Sequence, residues 1–264
     1  MGGDAASKQF RQSEQIYKRV GDVALAMHIF QPADARPSDR RGAIVFFFGG
    51  GWRSGSPDSF FPYCERLAER GFVAMAADYR VEERHATRPL VAVQDAKSAM
   101  RWVRRNAATL GIDPARLAAG GGSAGGHLAL CCLLCEAGDE PGEDTSVSAV
   151  PCATATINPV ADITAFKPGL ERCASPEEAR AISPALHVHS GCGPSILFHG
   201  EKDELVPLPS VQTFGAAMRA AGNRFEVVVR PGQAHGFYKF KEGKNPEFFV
   251  VAEGIERFLA EVFQ

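Results

Sequence analysis

The sequence predicts an α/β fold with a mostly parallel central sheet and helices on both faces. Short apolar runs rich in strand-forming residues alternate with segments in which apolar residues recur every three or four positions. Because a chain of 264 residues can bury a substantial core as one unit, we interpret residues 1–264 as a single domain. Residues 1–14 are polar, and we expect them to form a loose N-terminal arm.

The elements of this fold follow in chain order. Residues 16–20 and 23–30 predict a strand pair around a turn at Gly21, and the apolar run at residues 43–48 predicts a buried strand. Further apolar runs predict strands at residues 72–76, 116–120, 153–157, 194–200 and 225–229. Apolar periodicity and stop signals predict helices at residues 60–70, 89–110, 207–221 and 247–263. Residues 161–190 break the alternation and predict a small insertion with one or two short helices.

A glycine-rich turn surrounds one serine between a predicted strand and an apolar helix. Residues 121–125 read Gly-Gly-Ser-Ala-Gly, the pattern G-x-S-x-G, in which small residues permit a sharp turn that exposes the serine. A short motif of this kind also occurs by chance in ordinary glycine-rich loops. The position of the motif between strand and helix favours Ser123 as a nucleophile.

Three glycines follow the buried strand at residues 43–48. Residues 49–51 are Gly-Gly-Gly, and their backbone N–H groups can turn toward a ligand oxygen because no side chain shields them. Donors of this kind stabilise the oxyanion that forms in acyl transfer. A strand that runs into a glycine triplet therefore favours an oxyanion site over a merely flexible turn.

Two later loops supply an acid and a histidine. The predicted strand at residues 194–200 leads into a loop with Asp203, and the strand at residues 225–229 leads to His235. The order nucleophile, acid, histidine is expected when three groups meet at one edge of a parallel sheet. In that arrangement His235 activates Ser123 and then protonates the leaving alcohol, while Asp203 orients the imidazole.

Other residues compete for these two roles. Several acidic residues precede the serine turn, lie on a predicted helix or in the insertion, or flank Asp203 as solvated charges: Asp78, Asp95, Asp113, Asp162, Glu201 and Glu204. The pair Asp113-Pro114 is typical of a helix start. Of the seven histidines, His235 alone follows the last predicted strand beside a glycine, whereas His127 and His199 are expected to be structural.

These motifs resemble the α/β-hydrolase fold, and within it the hormone-sensitive-lipase-like esterases and their carbohydrate-esterase relatives. The matching positions are residues 49–52, residues 121–126, Asp203 with Val206-Pro207, and residues 235–237, within roughly residues 15–264. The resemblance implies a reduced cap at residues 161–190 and an oxyanion hole formed by backbone N–H groups of Gly50, Gly51 and Ala124. The family usually has histidine directly before the glycine triplet. This chain has Phe48 there, so packing must brace the loop.

Two aromatic residues flank these motifs. Trp52 follows the glycine triplet, and Phe237 follows His235. Each is a candidate for the wall of a substrate pocket and equally for ordinary core packing, because aromatic side chains serve both purposes.

Composition and residue spacing limit the classes of partner and cofactor that we expect. The net charge of −2 gives no reason to expect a nucleic acid or a membrane as partner, and no uncharged apolar stretch is long enough to span a bilayer. We expect no metal or other cofactor, because neither cluster of cysteine and histidine residues has the spacing of a zinc site: Cys131, Cys132 and Cys135, or His187, His189 and Cys192. The polar start of the chain favours the cytoplasm, or secretion or the periplasm if a signal peptide has been removed. The oligomeric state is left open.

The motifs together predict a serine-dependent carboxylic ester hydrolase that acts on short acyl esters of small molecules or carbohydrates. The resemblance implies O-acetyl or feruloyl groups on carbohydrates. Two alternatives keep the same triad and change the bond, an arylformamidase and a small peptidase. A third is a non-catalytic ligand-binding homologue, although such proteins usually lose a member of the triad, and none is lost here.

Overall fold

One eight-stranded sheet forms the centre of the molecule. The computed structural model describes residues 9–264, with strands β1 (Phe10–Val20), β2 (Val23–Pro32), β3 (Arg41–Phe47), β4 (Val73–Ala77), β5 (Ile112–Gly122), β6 (Thr154–Ile157), β7 (Ser195–Gly200) and β8 (Phe225–Arg230). Their order is β1-β2-β4-β3-β5-β6-β7-β8. Strand β2 is antiparallel to β1 and β4, and β3 to β8 are mutually parallel, which confirms the predicted mostly parallel sheet.

Helices cover both faces of this sheet. They are α1 (Phe61–Glu69), α2 (Glu82–His85), α3 (Pro89–Arg105), α4 (Ala107–Leu110), α5 (Ala124–Leu134), α6 (Lys167–Leu170), α7 (Pro176–Ala181), α8 (Leu208–Ala220) and α9 (Pro246–Val262). Phe198 of β7 packs against Gly254 of α9, whereas Val227 of β8 packs against Gly215 of α8. Val227 is paired with Leu197, the residue before Phe198. Because successive strand residues point to opposite faces, α8 and α9 lie on opposite sides of the sheet.

The N-terminal segment differs from the expected loose arm. Residues 1–8 of that arm lie outside the described residues, but residues 10–14 belong to β1 and pair with β2. The ring of Phe10 lies 6.0 Å from that of Phe30. All side chains from Arg11 to Ile16 are exposed. The segment therefore lacks the apolar alternation that identifies a strand, although its backbone extends the sheet.

A second expectation fails at Asp113-Pro114, which does not begin a helix. Gly111, with φ of +68°, ends α4, and β5 begins at the next residue because Ile112 pairs with Arg41 of β3. The Asp113 carboxylate instead accepts hydrogen bonds from the backbone N–H of Ala115 and from Arg40.

The interval at residues 161–190 lies between β6 and β7. It holds α6, α7 and a short 3-10 turn at residues 184–186, which matches the expectation of one or two short helices. Ser175 caps α7, since its side chain accepts a hydrogen bond from the N–H of Glu178. Within residues 9–264, every helix is too short or too polar to cross a bilayer.

Candidate active site

Ser123 occupies a strained turn between β5 and α5. Its φ of +54° and ψ of −119° lie in a region that residues with side chains rarely adopt. The flanking glycines are required sterically, because a Cβ at Gly121 would lie 2.4 Å from the carbonyl oxygen of Phe47 and one at Gly125 only 1.9 Å from it. The turn is thus pressed against the end of β3, and the serine side chain faces away from the sheet.

Ser123, His235 and Asp203 form a continuous hydrogen-bonded chain. His235 Nε2 lies 2.9 Å from Ser123 Oγ, and His235 Nδ1 lies 2.7 Å from Asp203 Oδ2. Since a carboxylate only accepts, Nδ1 carries the proton and Nε2 is left to accept from the serine hydroxyl. The structure therefore brings together the three residues that the sequence places on separate loops.

The Asp203 carboxylate is held from two directions. Its side chain is fully buried, and Oδ1 accepts hydrogen bonds from the backbone N–H groups of Leu205 and Val206 at 3.0 and 2.9 Å. Burial raises the pKa of Asp203, but the hydrogen bonds from His235 and Val206 outweigh it, so the pKa lies below its ordinary value. Asp203 is therefore ionised at neutral pH, with Oδ2 directed at the histidine.

Backbone donors lie beside Ser123, as expected for an oxyanion hole. Gly50, Gly51 and Ala124 line the same cavity as Ser123 and His235. Among residues 9–264, no acceptor is paired with the N–H of Gly50 or Gly51. Ala124 is the first residue of α5, so its N–H has no partner within the helix. These N–H groups therefore remain available to a ligand in the cavity.

Packing braces the glycine loop at Phe48, as the sequence predicts. The ring of Phe48 stacks on Tyr79 with centroids 4.0 Å apart and an interplanar angle of 14°. The Tyr79 hydroxyl donates to the Phe48 carbonyl at 2.8 Å. Gly55 completes the contact, because a Cβ there would lie 2.7 Å from the Phe48 ring.

Asn158, directly after β6, supports the histidine loop and is not among the residues predicted from the sequence. Its side-chain amide donates to the His235 carbonyl, while its Oδ1 accepts from the Gly200 N–H at 3.1 Å. Asn158 therefore joins the loops of the histidine and the acid. Its φ of +43°, unusual for a residue with a side chain, holds it in place for both contacts. Asn158 is a polar residue that lies directly after a predicted strand and before Pro159, and this position is the sequence signal that could have indicated a role at the site.

The cavity in front of Ser123 has a volume of about 600 Å³. Apolar residues form one part of its lining: Trp52, Val160, Phe166, Pro168 and Leu205. Polar and charged residues form the rest, apart from the site residues themselves: Arg53, Ser54, Ser56, Ser59, Arg172, Tyr238 and Lys239. No carboxylate occurs in this lining among the described residues.

Of the two aromatic candidates for the pocket wall, only Trp52 lines the cavity. Trp52 lines the cavity and also packs edge-on against His127, with ring centroids 5.0 Å apart, so both interpretations of it hold. Phe237 does not line the cavity. A turn in which its N–H bonds the Ala234 carbonyl leaves its ring buried against Tyr238, and Tyr238 lines the cavity instead. The prediction that Phe237 forms part of the pocket wall is therefore wrong, and its neighbour Tyr238 lies in that wall instead.

The competing residues bond other partners, although His199 Nε2 also lies 3.6 Å from Asp203 Oδ2. His127 Nε2 donates to the Ile182 carbonyl at 2.7 Å, and burial lowers the pKa of His127 to about 4. His199 Nε2 donates to the Val206 carbonyl at 2.8 Å. Asp95 pairs with Arg80. Cys131, Cys132 and Cys135 are buried, and across residues 9–264 no three or more histidine, cysteine or acidic side chains are placed to hold a metal ion.

Comparison with known proteins connects this geometry to a family. Residues 27–167, just over half of the chain, match the BD-FAE family. The chain belongs to the BD-FAE family. Residues 153–259 also match the dienelactone hydrolase family. Esterase LipQ of Mycobacterium tuberculosis is 31% identical over 270 residues, which cover 96% of this chain and 63% of LipQ. The chain thus spans less than two thirds of this relative.

A solved structure agrees along most of both chains. The native structure of esterase 2 from the planctomycete Thermogutta terrifontis has a TM-score of 0.90 and 45% identity, and the match covers 95% of this chain and 92% of that one. Other structures of that esterase contain propionate or butyrate, or are phosphorylated by paraoxon. The α/β-hydrolase fold expected for this BD-FAE family member, and its relationship to esterases of that fold, are thereby confirmed.

Proposed function

We propose that the protein is a serine carboxylesterase that hydrolyses short-chain acyl esters through an acyl-enzyme. The observation that carries the proposal is the hydrogen-bonded chain from Asp203 through His235 to Ser123, which ends beside three backbone donors in an open cavity. The esterases among the related proteins support it.

The reaction follows from this geometry. His235 Nε2 accepts the proton of Ser123 Oγ as the oxygen attacks the ester carbonyl carbon, and the negative charge that develops on the carbonyl oxygen is stabilised by the N–H groups of Gly50, Gly51 and Ala124. The imidazolium, stabilised by Asp203, then gives its proton to the leaving alcohol as the ester bond breaks. Water repeats the sequence on the acyl-enzyme and releases the carboxylic acid.

The size and lining of the cavity support short acyl groups. Its apolar part is formed by five side chains, within a cavity of about 600 Å³. Each buried methylene contributes about 0.8 kcal/mol, so added methylenes stop improving binding once this part is full. Thermogutta terrifontis esterase 2, which is similar to this chain, holds propionate and butyrate in two of its structures. The polar lining favours a polar alcohol, as in O-acetyl groups on sugars.

The experiment that tests the function is covalent labelling combined with a substrate panel. Paraoxon should inactivate the protein with one phosphoryl adduct per chain, located on Ser123 by mass spectrometry. The panel should show a maximum of kcat/KM between acetyl and butyryl esters, a fall by octanoyl, and hydrolysis of acetylated xylan. Labelling without turnover of any ester would instead support a non-catalytic homologue, and preference for N-formylkynurenine would support an arylformamidase.

A further inference from the structure

One buried tyrosine is bonded differently from the other three. Tyr17, Tyr63 and Tyr79 each donate to a backbone carbonyl, of Asp78, Tyr238 and Phe48 respectively, at 2.7 to 2.8 Å. Tyr238 is only 5% exposed, yet its hydroxyl is paired with no other group in residues 9–264. The hydroxyl oxygen is not sealed in the core, since Tyr238 lines the cavity. A partner for it can come only from that cavity.

The free hydroxyl lies next to the nucleophile. The Cβ position of Gly49 is 3.2 Å from the Tyr238 hydroxyl oxygen and 3.3 Å from Ser123 Cβ, so the phenol and the serine flank the same glycine. A Cβ at Gly122 would lie 2.4 Å from the same oxygen. The phenol therefore rests on the backbone of residue 122, and an ester bound at Ser123 is within its reach.

Two serine hydroxyls of the cavity lining are already engaged. The Ser56 hydroxyl donates to the carboxylate of Asp58, and that of Ser59 donates to the Ser56 carbonyl. The Tyr238 hydroxyl remains available. Burial, together with the charge of Asp203, raises the pKa of Tyr238 to about 12, so the group stays a donor at neutral pH.

The position of Tyr238 on the histidine loop indicates which part of the substrate its hydroxyl contacts. His235, which protonates the leaving alcohol in the proposed mechanism, precedes Tyr238 by three residues. The exposed Lys239 follows it and also lines the cavity. The apolar side chains Trp52 and Phe166, by contrast, lie together, with ring centroids 6.2 Å apart, and suit an acyl chain.

We propose that Tyr238 is a specificity-determining residue that donates a hydrogen bond to a second oxygen in the alcohol portion of the substrate. The preferred substrates are then short acyl esters of diols and polyols. This inference rests on the proposed esterase function and specifies its alcohol. A buried donor discriminates because a ligand without an acceptor displaces water from it and leaves it unpaired.

The test compares two acetates of equal size. 2-Hydroxyethyl acetate and propyl acetate differ by one hydroxyl in place of a methyl group. Tyr238→Phe should lower kcat/KM for 2-hydroxyethyl acetate by about three- to tenfold, the usual value of one neutral hydrogen bond, and for propyl acetate by less than about twofold. Tyr63→Phe is the matched control, since it removes a neighbouring buried hydroxyl that bonds the Tyr238 backbone. It should change stability but not the ratio between the two substrates.

A second measurement uses the wild-type protein alone. 2-Methoxyethyl acetate offers an ether acceptor and no donor, and it should be preferred over butyl acetate, which has the same number of heavy atoms. Equal losses for both acetates in Tyr238→Phe, an altered ratio in Tyr63→Phe, or no preference for the ether would overturn the role of Tyr238. Failure of the esterase function looks different, because the wild type would then hydrolyse none of these esters.

Discussion

Two fully buried carboxylates, Asp95 and Asp203, have opposite surroundings. Asp95 is held by an arginine and a lysine: Arg80 donates to both of its oxygens at 2.7 and 2.8 Å, and Lys18 Nζ lies 2.7 Å from one of them. Both cations also contact Glu140. Asp203 contacts no arginine or lysine within residues 9–264 and is bound by two backbone N–H groups and the imidazole of His235.

The difference teaches how a buried charge can be either structural or reactive. The side chains around Asp95 bond one another, so that network is closed and joins β1, α3 and the loop after β4 into one unit. His235 can accept and donate a proton through its ring nitrogens, and Nε2 points at Ser123. That network ends at the cavity, where the proposed mechanism passes a proton to and from a substrate.

The largest loss of activity should follow substitution of Ser123, which lies at the cavity end of the Asp203 network. Ser123→Ala should lower kcat by about a million-fold, because the remaining members have no nucleophile to activate. Ester hydrolysis by the purified variant measures the loss, and thermal unfolding should show an intact fold. Substantial turnover by the folded variant would assign the nucleophile elsewhere.

Asp203→Asn should be the next most damaging change. The amide would favour the wrong tautomer of His235, and kcat should fall by about ten-thousandfold. Glu201→Gln and Glu204→Gln are matched controls on the same loop, and both should remain within about twofold of the wild type in a steady-state assay. A large loss of kcat in Glu204→Gln would instead assign the role of the triad acid to Glu204.

Asp95→Asn should show the reverse pattern. Removing the charge leaves Arg80 and Lys18 without a balanced partner, and the free energy of unfolding should fall by about 3 kcal/mol or more in denaturant titrations. Activity per folded molecule should be nearly unchanged. Glu83→Gln, which breaks the exposed pair with Arg53, should cost less than about 1 kcal/mol. A loss of kcat in folded Asp95→Asn would contradict the division into structural and reactive networks.

The smallest expected effect concerns His127, a buried group with a neutral partner. Its pKa is about 4 in the folded protein, below the ordinary value near 6.5. Between these values the unfolded chain binds a proton that the folded chain does not, so stability falls as the pH drops and is unaffected above about pH 7. From pH 6.5 to 4.5 the loss should be about 2 to 3 kcal/mol by denaturant titration.

His127→Gln is the control for this pH dependence. Its amide can still donate to the Ile182 carbonyl but does not titrate, so the slope of stability against pH should become shallower. Part of the slope should remain, because burial also lowers the pKa of His199. An unchanged slope in the variant would show that other groups cause the acid sensitivity.

The reactive network was far easier to predict from sequence than the structural one. Ser123, Asp203 and His235 each follow an apolar strand, and parallel strands bring their carboxyl ends to one edge. Lys18, Arg80 and Glu140 come from exposed-looking or loop segments whose pairing depends on how the sheet edge meets α3, which no local pattern records. The roles of Tyr238 and Asn158 could not be predicted for a related reason. The direction of a side chain in an irregular loop is set by tertiary contacts.

The contact of Gly125 with the Phe47 carbonyl has a consequence for how this scaffold can change. The nucleophile turn is pressed against the end of β3, and the Cβ position of Gly49 lies 3.0 Å from the Gly122 carbonyl oxygen and 3.3 Å from Ser123 Cβ, so the turn and the glycine loop pack directly on each other. Most of the remaining cavity wall comes from the segments at residues 52–59, 166–172 and 238–239, outside that contact. Substitutions there can redirect substrate choice while the bond-breaking apparatus keeps its alignment, which makes these segments the natural targets for engineering.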